Sequence, residues 1–153
     1  MISLIEITNA MTAKLQSIPE LVALLDAGAA SVFPYIDENP KRNSISNEIY
    51  RMPAGSILVV WNGTVLEAAE TMEAWIHVIQ IYIRARRGDS ALAIIDALMD
   101  GIPVPGDGLR WRYCPIMDGV LPTVVRDIAR LIDEEGIDYF VVTSVTQEIG
   151  DTE

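Results

Sequence analysis

Apolar residues at Leu4, Ile7, Met11, Leu15 and Ile18 return every three or four positions, the period at which one stripe of a helix faces a core. They predict a helix over residues 4–16. Ser3-Leu4-Ile5-Glu6 has the spacing of a capping box, in which a hydroxyl and a carboxylate satisfy orphan amides of the first turn. Pro19 opens a short second helix over Glu20 to Leu25, and Gly28 stops it. Ser31 to Ile36 reads as an edge strand, because Pro34 removes a ladder donor. Residues 37–56 are polar, and within them 37–51 form an exposed arm or loop.

The pattern then changes period. Ile57, Leu58, Val59, Val60 and Trp61 form an unbroken apolar run, followed by Asn62-Gly63 and a second β-prone run. Asn-Gly between two such runs is a strong hairpin signal, since both turn residues need positive φ. Ile57, Val59 and Trp61 fall on one side of the strand and Leu58 and Val60 on the other, so this hairpin has no wet face. Something has to cover Leu58 and Val60, and a neighbouring subunit is the simplest cover.

From Ala74 to Arg86 polar and apolar positions alternate: Trp75, His77, Ile79, Ile81 and Ile83 share one face, and Ile76, Val78, Gln80, Tyr82, Arg84 and Arg86 the other. Such a strand is about 43 Å long at about 3.3 Å per residue, comparable to the diameter of about 40 Å expected for the whole domain. Helical spacing resumes at Ala91, Leu92, Ile94, Ile95, Leu98 and Met99, capped by Asp89 or Ser90 and ended by Gly101. A Pro- and Gly-rich break follows, with a short strand over Leu109 to Tyr113. Pro122 then starts a helix carrying Val124, Val125, Ile128, Leu131 and Ile132, ended by Gly136. A strand from Tyr139 to Thr146 closes the pattern. The expected fold is α+β: an antiparallel sheet of about four strands with a long hairpin, and helices mainly on one face.

Composition narrows the reading. The 153 residues suit a single domain, with 102–136 as an insertion bearing an extra helix. No apolar run approaches the roughly 18 residues that cross a bilayer, and Met1 to Glu6 has no basic leader, so no membrane is expected. The lone Cys114 excludes an internal disulfide and fits a reducing compartment. Twenty-two Asp and Glu against 11 Lys and Arg, a net charge of −11, disfavour sequence-specific nucleic-acid binding. They leave room for a surface past which DNA slides.

The chain is poor in catalytic patterns. Zinc wants about four ligands, largely Cys and His, and His77 and Cys114 stand alone in separate segments, so no metal is expected. Glu67, Glu70 and Glu73 share a face if helical, but read as a solvated helical turn between strands, and Asp107 reads as a turn residue. Any serine or cysteine nucleophile would need His77, whose apolar neighbours make it a packed core or interface residue. Glycine-rich phosphate loops and dinucleotide fingerprints are missing, so neither catalytic residues nor cofactors are expected. Arg84, Arg86 and Arg87 form the one dense basic cluster; they read as the end of an edge strand meeting an acidic neighbour rather than as a phosphate clamp.

Together, Ile7-x-x-Ala10-Met11-x-x-x-Leu15, Ile18-Pro19-Glu20-Leu21, "MPAGSILVVWNG", the long alternating strand, the helix after it and the final "FVVTSVTQEIG" resemble a known family. It is the tail-terminator, or tail-completion, proteins of long-tailed bacteriophages, the minor tail protein U-like neck proteins. The resemblance spans residues 4–100 and 138–149, and segment 102–136 departs from it. It implies a structural virion protein, not an enzyme, assembled in the bacterial cytoplasm. Its homo-oligomer would be a hexameric ring that caps the tail tube, ends its polymerisation and docks to the head–tail connector proteins, while DNA passes an acidic lumen. On this reading Arg84, Arg86, Arg87, Leu58 and Val60 serve subunit contacts. Trp61, Asn62, Gly63, Thr64, Lys41 and Arg42 serve partner contacts with the tail-tube protein and connector. The alternatives are a head-completion adaptor or stopper ring contacting the portal, and a small ligand-binding domain or enzyme with a pocket around His77 and Glu67.

Overall fold

The computed structural model describes residues 1–36, 49, 51–68, 72–85, 91–100, 116–132 and 138–151. The first helix, α1 (Leu4–Gln16), follows its apolar stripe: Ile7, Met11 and Leu15 are fully buried. Thr8 and Thr12 are buried beside them because each hydroxyl donates to a carbonyl one turn back, Leu4 at 2.7 Å and Thr8 at 2.8 Å. The capping box does not form. Ser3 is the N-cap but makes no side-chain cap bond, and the chain start is pinned instead by Glu148 on a distant strand. A short α2 (Pro19–Val22) with Pro at its start and a 3₁₀ turn (Gly28–Ser31) lead into β1 (Val32–Pro34).

The remaining elements are β2 (Ser56–Ala68), β3 (Met72–Arg84), α3 (Ala91–Asp100), β4 (Val124–Ile132) and β5 (Asp138–Asp151). The fold is α+β with one five-stranded sheet, ordered β1-β2-β3-β5-β4, rather than about four strands. β1 runs parallel to β2, and its Pro34 lies at the sheet edge where a missing donor costs nothing. All other pairs are antiparallel. Helices α1, α2 and α3 cover one face, here the inner face, where Ile57, Val59, Ile79, Ile81, Ile83, Phe140 and Val142 meet Leu21, Ile94, Ile95 and Leu98.

Three expectations are corrected. Asn62-Gly63 does not turn the chain: β2 runs straight through it, and the long hairpin is β2–β3, with its connection outside the described residues. Trp61 pairs with Ile79 and Gly63 with Val78, so Asn62 is the extra residue of a β-bulge. A ladder along the whole of β3 outweighs the local turn preference of two residues, and Gly63, at φ 140°, lends its backbone freedom to the bulge. Secondly, the segment after Pro122 is strand β4, not a helix. Its apolar positions follow the helical period, and a bulge at Arg126 is what lets Val125 and Ile128 share one face of a strand; the β-branched Val124, Val125 and Ile128 are better housed beside β5 than in a helix interior. Thirdly, Glu67 and Glu73 stand on strands rather than on a helical turn, and residues 69–71, Glu70 among them, lie outside the described residues.

The outer face explains the double-sided apolar run from within the chain. Leu58 is 1% exposed and Val60 fully buried, under Met52, with Phe33, Tyr35, Ile49 and Tyr82 packed around them. No neighbouring subunit is needed to cover them. Ile49 thus packs at the end of the segment read as an exposed arm, of which 37–48 lie outside the described residues.

Candidate functional site

Among the described residues helical cover ends about half-way along the sheet. Beyond Val60, β2 carries Trp61 at 37% exposure and Val65 and Leu66 at 55% each; β5 adds Ile149 at 42%, and the approach to β4 adds Leu121 at 45%. These residues share the end of the sheet to which the β2–β3 hairpin points, hereafter the distal end. Register assigns their faces. The bulge returns Thr64 and Leu66 to the inner face, opposite His77 and Trp75, and leaves Val65 and Glu67 on the outer face, opposite Ile76 and Ala74. On the outer face, Leu121, Pro122, Val124, Arg126, Val145 and Gln147 line an open depression of about 320 Å³.

Beneath the distal end the inner face turns polar. Along β5 the residues after Val142 that share its face are Ser144, Thr146 and Glu148, all at most 8% exposed. Each is matched. Ser144 donates to the Ile79 carbonyl at 2.9 Å, and the hydroxyls of Thr123 and Thr146 meet at 2.7 Å, fixing the start of β4 against β5. His77, fully buried, joins the bulge to β5: its Nδ1 lies 2.8 Å from Thr64 Oγ1 and its Nε2 3.2 Å from Glu148 Oε2. Thr64 Oγ1 accepts from Trp61 Nε1 at 3.0 Å, and the Glu148 carboxylate accepts the Ile2 amide at 2.8 and 3.0 Å.

One set of proton positions satisfies this whole chain: Trp61 N–H to Thr64, Thr64 O–H to Nδ1, and Nε2–H to Glu148. In this arrangement His77 is the Nε2–H tautomer, an assignment made from the hydrogen-bond network. Burial alone would push the Glu148 carboxyl up; the bonds it accepts from Ile2 and His77 outweigh burial and hold it below the ordinary carboxylate value. A hydroxyl, an imidazole and a carboxylate in line have the order of a nucleophile–base–acid triad. Here both imidazole nitrogens are engaged and buried, and the depression opens on the other face of the sheet, so the chemistry the line supports is rigidity: it ties the bulge to β5 and to the start of α1.

Of the residues expected to meet partners, Trp61 and Asn62 are exposed at the bulge, while Thr64 is half-buried and committed to His77. Arg84 turns inward, donating to the Met52 carbonyl at 2.6 Å, which ties it to its own chain's outer-face cover. Arg86, Arg87, Lys41, Arg42 and Cys114 lie outside the described residues. Glu67 and Glu73 fall on opposite faces and do not converge, and Glu70 is outside the described residues. Glu148 and Arg126 are missed by sequence reasoning. For Glu148 the signal is present, since Ser144, Thr146 and Glu148 keep the two-residue period of Phe140 and Val142. Arg126 is hidden by the reading of its segment as a helix. No protein-family model matches this chain, and no curated protein matches it.

Proposed function

We propose that this chain is a structural subunit of the neck of a long-tailed bacteriophage, forming a ring that caps the tail tube, ends its polymerisation and joins tail to head. The observation that carries this reading is a sheet that outruns its helices. A domain with no docking role gains nothing by holding Trp61, Val65, Leu66, Leu121 and Ile149 in water at one end of a rigid sheet; exposed apolar residues gathered in one place mark a contact surface. The hydrogen-bonded line from Trp61 to Glu148 supports the reading, because it stiffens that end before any partner arrives and so lowers the entropy lost on docking. The resemblance of the sequence pattern to the tail-terminator family supports it too, and an acidic chain suits a lumen that DNA crosses without sticking.

The test is native mass by light scattering, with negative-stain images, on the chain alone and mixed with tail-tube protein. A ring of about six subunits, or a ring formed only on tube ends and arresting their growth, is the expected result. A monomer that neither self-associates nor alters tube growth overturns it.

A further inference from the structure

Among the described residues the sheet has two open sides as well as an open end. β1 stops at Pro34, opposite Val59, so from Trp61 to Ala68 the outer edge of β2 has no strand beside it among the described residues. On the opposite side, β4 bonds to β5 along one edge and has no described strand along the other. Each open edge presents a row of backbone N–H and C=O groups that a further strand would satisfy.

The side chains of the two edges complement each other on both faces. On the inner face β2 holds Leu66 at 55% exposure and β4 holds Ile128 at 40%. On the outer face β2 holds Val65, and β4 borders the apolar depression of Leu121, Pro122, Val124 and Val145. On the outer face, exposed Arg126 lines the depression, with exposed Asp127 beside it on β4, and exposed Glu67 of β2 shares the face of Val65, within reach of Arg126 when Val65 enters the depression. Two different, complementary patches on opposite sides of one molecule make a heterologous contact, which closes into a ring where the rotation per copy closes and otherwise runs on as a filament.

We infer that copies of this chain join edge to edge, the outer edge of β4 in one pairing with the Trp61–Ala68 edge of β2 in the next, with Val65 seated in the depression beside Arg126. This rests on the ring reading above and adds to it which strands meet. The sheet then continues from subunit to subunit, and the distal ends line up on one rim of the ring.

The experiment is disulfide trapping in the full chain with Cys114 replaced by serine. Val65→Cys is combined in turn with Leu121→Cys, Val124→Cys or Arg126→Cys, and oxidised under conditions in which the unmodified chain assembles. At least one combination is expected to give a ladder of covalent multimers up to the ring size, while each single-cysteine variant stays monomeric on a denaturing gel. Val65→Glu with Leu66→Glu, both on exposed positions, is expected to weaken self-association at least tenfold with an unchanged circular dichroism spectrum. Cross-linking of Val65→Cys alone would signify a symmetric contact and overturn the inference. Rings that survive Val65→Glu/Leu66→Glu and yield no ladder overturn the inference and leave the ring reading standing. An unmodified chain that is monomeric with and without tube protein overturns both.

Discussion

Thr64 shows how much one hydroxyl can hold. It accepts from Trp61 and donates to His77, whose other nitrogen donates to Glu148. Replacing Thr64 with valine keeps its shape but leaves the buried Nδ1 of His77 without a donor, which costs about 1–3 kcal/mol. Serine at the same position restores most of the stability, and urea unfolding at unchanged slope is the measurement. Glu148 adds a pH dependence. Its folded pKa is below the ordinary carboxylate value, so its stabilisation is complete above the unfolded value and is lost as pH falls through the lower, folded one. Thermal melts of the native chain and of Glu148→Gln are therefore expected to differ near neutrality and to converge in acid; a gap that persists at low pH contradicts this account. None of the partners of His77 was legible in the sequence, because Thr64, His77 and Glu148 meet only through strand register. Its burial among apolar neighbours was legible, from the alternation of Trp75, Ile79 and Ile81.

Among the elements, β2 carries the sharpest lesson. The alternation of β3 foretells one long strand, but the apolar run of β2 foretells only a short one, because Asn62-Gly63 points to a turn where the chain makes a bulge. The same property, a backbone at positive φ, serves both geometries, and only the partner strand decides between them. Gly63→Ala is expected to cost about 1–3 kcal/mol through backbone strain, with no steric part because nothing lies within 4 Å of a Cβ built there. Hydrogen exchange should then rise first at Thr64 to Ala68. The outer face offers a second test. Leu58 lies under the chain's own Met52, so Leu58→Ala is expected to destabilise the isolated monomer by about 2–5 kcal/mol. An effect confined to assembled protein would mean that a neighbour provides the cover. β4 differs from its helical reading for a related reason: Val124, Val125 and Ile128 keep helical spacing, and only pairing with β5 through a bulge at Arg126 makes them a strand, which no local pattern reveals.

At the scale of the whole molecule, charge and apolar edges oppose each other. Each copy carries a net charge of −11, so assembling several copies concentrates negative charge. The proposed edge contacts would join Val65, Leu66, Ile128 and Leu121, exposed apolar residues whose burial is largely indifferent to salt, and a rim pair between Arg126 and an acidic neighbour is worth about 0–1 kcal/mol. Repulsion among whole subunits acts over the Debye length, which shrinks from about 30 Å at 0.01 M salt to about 8 Å at 0.15 M. Raising salt over that range is therefore expected to favour the oligomer, the reverse of an assembly held by ion pairs. Sedimentation velocity at several salt concentrations measures it, and dissociation with rising salt would move the explanation from the apolar edges to Arg126 and Arg130. The same charge sets the behaviour towards DNA. At about 0.1 M salt a duplex is expected to pass with no measurable binding, since binding driven by counterion release needs a cluster of cations facing the phosphates. A mobility shift that weakens steeply as salt rises would point to such a cluster on the lumen side and would recast the ring as a DNA clamp.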